Sequence, residues 1–166
     1  VIRLEFPIRA LAKQSFRAGK YGAYQPKNVV AFKNAIRAIA NMHLPGDHTL
    51  LDGCLFVTIC FTFALPKSAP KSKRNAVENE NNLVYMNVKP DVDNLTKAMF
   101  DALNGVLWTD DARVVSFHCQ KVYGLTDCIT VCVNAEPNGY CVSKDVKQSS
   151  KWLLDAVAEM NGGKNE

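Results

Sequence analysis

Residues 50–65 read LLDGCLFVTICFTFAL, a run in which apolar, β-branched and aromatic side chains follow one another almost without a break. A strand with one face in water alternates apolar and polar residues, whereas near-continuous apolarity marks a strand covered on both faces. Such a strand needs neighbours on both edges, so a sheet has to be built around it. Thr58 and Thr62 interrupt the run, and nothing else in the chain approaches the ~20 apolar residues of a membrane helix. No membrane association is therefore expected.

The remaining elements are placed by period and punctuation. Ile2, Leu4 and Phe6 alternate as one face of a strand that ends at Pro7. Residues 11–27 interleave Lys13, Arg17, Lys20 and Lys27 with Phe16, Tyr21 and Tyr24. That pattern suits a loop or hairpin laid against a phosphate backbone, and equally a solvated loop whose tyrosines fold back on the core. Val29, Phe32, Ile36, Ile39 and Ala40 fall at helical spacing, so a helix is predicted over 28–42, ended by Pro45 and Gly46. Lys33 and Arg37 form a like-charge pair on its polar face, better tolerated near anions. After Pro66 a basic cluster of Lys67, Lys71, Lys73 and Arg74 reads as a solvated loop or as a grip on phosphate, with Ser72 placed to cap a short helix through Glu78.

The chemistry concentrates in residues 89–115, KPDVDNLTKAMFDALNGVLWTDDARVV. Pro90 biases Lys89 to extended backbone, and an extended Asp91-Val92-Asp93 directs both carboxylates to one face. Asp93 or Asn94 can cap the helix that follows, whose stripe is Leu95, Ala98, Met99, Ala102 and Leu103 and whose end is Asn104-Gly105. Lys97 lies in the first turn, able to reach back toward the carboxylates, with Asp101 one turn further. Trp108 to Asp111 makes the next corner, and a strand over 113–123 is expected to pair with 128–133 through the turn at 124–127. Taken singly, Asp93 reads as a cap, Asp110 as a turn residue and Lys97 as the partner of Asp101.

Taken together, four aspartates so close on a chain of net charge +4 repel one another unless a cation neutralises them. All-oxygen ligands without a nearby histidine or cysteine suit Mg²⁺, with Mn²⁺ as the substitute, and not zinc. Magnesium keeps water and shares its shell with substrate phosphate, which makes phosphodiester hydrolysis the natural reaction, and Lys97 can stabilise the departing oxygen. The six cysteines form no CxxC pair and the three histidines are scattered, so reduced structural thiols in a cytoplasmic protein are expected. No charged and apolar leader pattern opens the chain, which predicts no secretory signal.

The string from Lys89 to Val115 resembles the signature of the RusA family of Holliday-junction resolvases. The basic segment PKSAPKSKR before it and, more loosely, KQSFRAGKYGAYQP also resemble family segments, and the likeness stops beyond Ala135. The resemblance implies metal-binding aspartates at Asp91, Asp93 and Asp111, a catalytic lysine at Lys97, and an acidic position at Asp110. It implies a homodimer that takes a four-way DNA junction, reads shape and backbone, and cuts two strands symmetrically. Phosphate contacts are assigned to Lys13, Arg17, Lys20, Lys67, Lys71, Lys73, Arg74 and Lys89. The fold expected is a single α+β domain, a mixed and mostly antiparallel sheet with helices packed on it. Residues 1–148 form the endonuclease domain and 149–166 a helical tail with Trp152, Leu153, Ala156, Val157 and Met160 on one side.

Two other functions stay open at this point. A non-catalytic nucleic-acid-binding protein would use the aspartates as caps and turns, leaving the acidic cluster without a counter-ion. A glycosyltransferase would use paired aspartates for a sugar nucleotide, but such enzymes carry a larger nucleotide-binding domain.

Overall fold

The computed structural model describes residues 1–15, 17–19, 22–79 and 82–136, and the expected C-terminal helical tail lies outside them. In chain order the elements are strands β1 (Ile2–Phe6), β2 (Arg17–Gly19) and β3 (Gly22–Tyr24), helix α1 (Lys27–His43), strand β4 (Cys54–Ala64), helix α2 (Lys71–Glu78), strand β5 (Val84–Tyr85), helix α3 (Val92–Leu103), a 3-10 turn (Asp111–Arg113), and strands β6 (Val114–Gly124) and β7 (Cys128–Glu136).

The apolar run becomes β4, the middle strand of a five-stranded sheet ordered β1-β7-β4-β6-β5. It runs antiparallel to β7 and parallel to β6, while β1 on β7 and β5 on β6 are antiparallel, so the sheet is mixed and mostly antiparallel as expected. Leu55, Val57, Ile59, Phe61 and Phe63 fill the core on one face, and Thr58 and Cys60 are also buried on the other. The strand starts at Cys54, later than residue 50, because Gly53 takes a left-handed φ of 97° that ends extended backbone. Leu51 instead bridges to Trp108.

One pairing departs from expectation. β6 and β7 are not neighbours: β4 lies between them. The connection between them crosses the end of β4, where Leu65 N donates to Gly124 O (3.0 Å) and Ala64 N donates to the Asp127 carboxylate (2.9 Å). A strand covered on both faces takes partners on both edges, and that requirement outweighs the local preference of a short turn for a hairpin.

Helices α1 and α3 pack together over the core face. Ile36 and Ala40 of α1 are fully buried, as are Leu95, Met99, Ala102 and Leu103 of α3, the stripe read from the sequence. Leu107 and Trp108 close the cluster, with the Trp108 ring edge-on to Phe100 and its indole nitrogen bonded to the Asn104 side chain. Arg37 is not turned toward anions in solution. Its guanidinium donates to Ala102 O (3.0 Å) and Asn104 O (2.9 Å), carbonyls at the end of α3. Cys60, Cys119, Cys128 and Cys132 are free thiols, as expected, and burial pushes Cys60 and Cys128 above the usual thiol pKa. Cys54 departs from that expectation, being disulfide-bonded.

Candidate active site

Asp91 and Asp93 stand at the start of α3. After β5 the chain runs beside β6, with Met86 N donating to Lys121 O (2.9 Å). The Lys121 ammonium then donates to Val88 O (2.8 Å) and Pro90 O (2.6 Å), strapping down the segment that leads to Asp91. The Lys89–Pro90 peptide is cis.

Asp91 is extended (φ −73°, ψ 138°) and stands at the N-cap position of α3, yet its carboxylate makes no capping bond. Asp and Asn are favoured there because they accept from the helix's unpaired N–H groups. An Asp91 that does not do so is exposed, with its carboxylate uncommitted among the described residues. Val92 and Asp93 are already helical, so the expected extended Asp91-Val92-Asp93 is corrected to a cap followed by a first turn. Both carboxylates thus sit at the electropositive end of α3, where negative charge is favoured.

Lys97, one turn on, donates to Asp93 Oδ2 at 3.2 Å, with both side chains well exposed. This hydrogen bond, joined by the Asn94 backbone N–H, holds the Asp93 carboxyl below its ordinary pKa, so Asp93 is ionised at neutral pH. The partner of Asp101 is Lys13 (2.7 Å), not Lys97. Lys13 also donates its backbone N–H to Asn94 O (2.8 Å), fastening the N-terminal loop along α3.

The second acidic pair lies at the corner after α3. Asp110 accepts from Ala112 N (2.8 Å) and so caps the 3-10 turn, a duty that accounts for it structurally. Asp111 opens that turn and is half-buried, with no bond to its carboxylate among the described residues. Asp52, before β4, braces the corner by pairing with Arg113 Nε (2.9 Å) and accepting from Thr109 Oγ1 (3.5 Å).

Among the described residues no group of three or more His, Cys, Asp or Glu converges as a metal cage. A closed all-protein site is therefore not formed. The uncommitted carboxylate of Asp91 beside the ionised Asp93 fits the other mode of magnesium binding, in which one or two carboxylates hold the ion and water and substrate phosphate complete its shell.

The basic residues divide. Lys67, Lys71 and Lys89 are exposed. Lys73 of α2 lies over the Tyr123 ring (3.9 Å), and Arg74 donates to Lys67 O (3.0 Å), so both also hold α2 in place. No side chain caps the start of α2, where Pro70 takes the position expected of Ser72. Arg17 lies in the β2–β3 hairpin, and Lys20 falls outside the described residues.

Sequence reasoning had no hold on Lys121 and Arg37, because their partners are backbone carbonyls that carry no residue identity. The signal present for Arg37 was weak: a cation on the polar face of a helix whose apolar face packs on α3.

An α+β sheet that offers hard oxygen ligands and a lysine at one helix start defines a donor set suited to phosphate-ester chemistry. The family model described as endodeoxyribonuclease RusA matches residues 5–134, which takes in every described element from β2 to β6, the end of β1 and most of β7. The chain belongs to the RusA family, a family of endonucleases that act on four-way junction DNA. It is also similar to the uncharacterized protein YqaN of Bacillus subtilis (strain 168), 33% identical over 109 residues, which cover 66% of this chain and 75% of that protein. Among the described residues no helix is long and apolar enough to cross a membrane.

Proposed function

We propose that this chain is a magnesium-dependent, structure-selective endodeoxyribonuclease that resolves Holliday junctions, acting as a homodimer that nicks two strands symmetrically. The observation that carries the reading is the N-cap of α3: Asp91 occupies a capping position without capping, two residues before an Asp93 held ionised by Lys97. Asp91 and Asp93 would hold the ion directly, and the roles of Asp111 and of its neighbour Asp110 as further metal ligands rest on the family likeness alone. Mg²⁺, when bound, supplies a water of lowered pKa and neutralises phosphate charge. Lys97 offers its ammonium to the oxygen that gains charge as the phosphodiester bond breaks. Lys67, Lys71 and Lys89 lie exposed just ahead of the acidic site in the chain and suit the phosphate backbone, a contact that fixes position without reading sequence. A junction of approximate two-fold symmetry is matched by two copies related by a two-fold axis.

The test is a synthetic four-way junction incubated with the protein, with and without Mg²⁺. Paired nicks are expected only with the metal. Asp91→Asn should abolish them while junction affinity stays equal or rises, because a charge facing phosphate has been removed. Wild-type protein that binds the junction but never cuts it with Mg²⁺ present would overturn the enzyme reading and return the non-catalytic one.

A further inference from the structure

What keeps Asp91 in register is a separate question, and its answer lies on a different strand. Lys121 comes from β6, which is parallel to β4 at the centre of the sheet (Phe61↔Lys121). Its side chain spends hydrogen bonds on the carbonyls of Val88 and Pro90, either side of the exposed Lys89. An ammonium has three donors and is strongly hydrated in water, so giving two of them to backbone carbonyls is a specific commitment. The Pro90 carbonyl belongs to the peptide unit that ends in the Asp91 nitrogen. Fixing that oxygen fixes the plane of the peptide, and with it the axis about which the Asp91 φ of −73° is set.

The same residue grips the segment a third time through its own carbonyl, which accepts from Met86 N. Residues 86–90 are therefore tied at both ends to one position of a strand whose own register is locked by β4. Asp91 has no capping bond to hold its side chain against the helix. Its direction is left to the backbone before it and to the Leu95 N–H bond on its own carbonyl (3.1 Å).

We propose that Lys121 is a positioning residue for Asp91, holding the backbone that aims this carboxylate. The proposal rests on the reading of Asp91 as part of the catalytic site, and adds the residue that orients it. Misplacement of a catalytic group by about 1 Å costs on the order of 10²-fold in rate.

The test compares wild type, Lys121→Met, which keeps the stem and removes the donors, and Lys121→Arg, which restores donors. The readouts are cleavage rate at saturating junction against Mg²⁺ concentration, Mn²⁺ binding to the protein alone by electron paramagnetic resonance, and amide exchange over 86–92. K121M should keep metal-free junction affinity within about twofold while cleavage falls about 10²-fold, half-saturation shifts to higher Mg²⁺, Mn²⁺ binds more weakly, and exchange at 86–92 rises. K121R should recover much of each. The proposal is overturned by K121M with wild-type Mg²⁺ dependence and rate, or by unchanged Mn²⁺ binding and unchanged exchange at 86–92. Should K121M fail to fold, Lys121→Gln, shorter and uncharged, decides by the same readouts: raised exchange at 86–92 with weaker Mn²⁺ binding supports the strap, and wild-type values of both refute it. A wild type that does not cut removes the functional reading alone, since Mn²⁺ binding and exchange still judge Lys121.

Discussion

Replacing Arg37 with Met would remove the cation that closes α3 while keeping most of the aliphatic stem that packs along α1. The last carbonyls of a helix lack partners within it and carry partial negative charge. Helix α3 has no basic residue in its own last turn. Arg37 supplies the missing cation from α1, with bonds of 3.0 Å to Ala102 O and 2.9 Å to Asn104 O. A hydrogen bond from a charged donor contributes roughly 1.5–3 kcal/mol. The two bonds share one guanidinium that is part-exposed, so they do not add in full, and a combined loss of about 2–3 kcal/mol is expected. At about 2–4 °C per kcal/mol for a chain of this size, the melting temperature should fall by roughly 4–12 °C. Urea unfolding followed by far-ultraviolet circular dichroism measures it, with the m-value unchanged. Arg37→Lys keeps the charge but not the fork, and should recover less than half of the loss. A loss below about 0.5 kcal/mol, the usual range for an unremarkable surface change, would refute the capping argument. Because Arg37 touches the far end of the helix from Asp93 and Lys97, junction cleavage measured well below the lowered melting point should stay at the wild-type rate.

Two further outcomes follow from single contacts. The Asp93 carboxyl should titrate below its ordinary value in NMR spectra of the wild type and move upward in Lys97→Met, because the Lys97 hydrogen bond is the first cause of the shift. A lowered folded pKa means stabilisation that is fully present above the unfolded value, ~3.9, and lost as pH falls through the folded one; an unmoved Asp93 in K97M would show that the 3.2 Å pair does not persist in solution. Thr58 is fully buried in β4 with no hydrogen-bond partner for its hydroxyl among the described residues, so Thr58→Val should be neutral or stabilising by up to about 1 kcal/mol in the same urea assay, and a clear loss would mean that the hydroxyl is bonded.

What the sequence made legible, and what it hid, divides by the kind of interaction. The central strand could be read because burial on both faces leaves its mark on every residue of β4. The α3 stripe could be read because Leu95, Ala98, Met99, Ala102 and Leu103 all answer to one face. Asp91, Asp93 and Lys97 stood out through spacing alone, since an i, i+4 acid and base meet wherever the segment is helical. The sheet order could not be read in the same way. Gly124 to Asp127 is a turn between two apolar strands, and nothing local records that β4 passes between them. Its signature is a set of contacts from afar: Asp127 accepting from Ala64 N, and Arg9 reaching Asp127 from beyond β1. The start of α3 was misjudged by two residues for a related reason, since Asp91 and Asp93 are each good caps and only the packing of the stripe decides between them.

The structure also changes how the net charge of +4 bears on DNA binding. A positive excess suggests a chain whose cations face phosphate, yet several of them are committed to partners within the chain. Lys121 holds the entry to α3, Arg37 holds its exit, and Lys13 is paired along its flank with Asp101. Lys73 lies on Tyr123, and Arg74 is bonded to the loop before α2. The helix that carries Asp93 and Lys97 is thus fixed at both ends and along one side by cations from outside it. On the proposed function, that placement would serve a reaction in which a carboxylate and an ammonium meet one phosphodiester with little freedom to wander. It leaves Lys67, Lys71 and Lys89, exposed and near in sequence to Asp91, as the residues best placed among those described to draw the backbone in. On the proposed function the basic excess would do two jobs by location, clamp around α3 and grip ahead of Asp91, and only the second should respond to salt as a phosphate contact does.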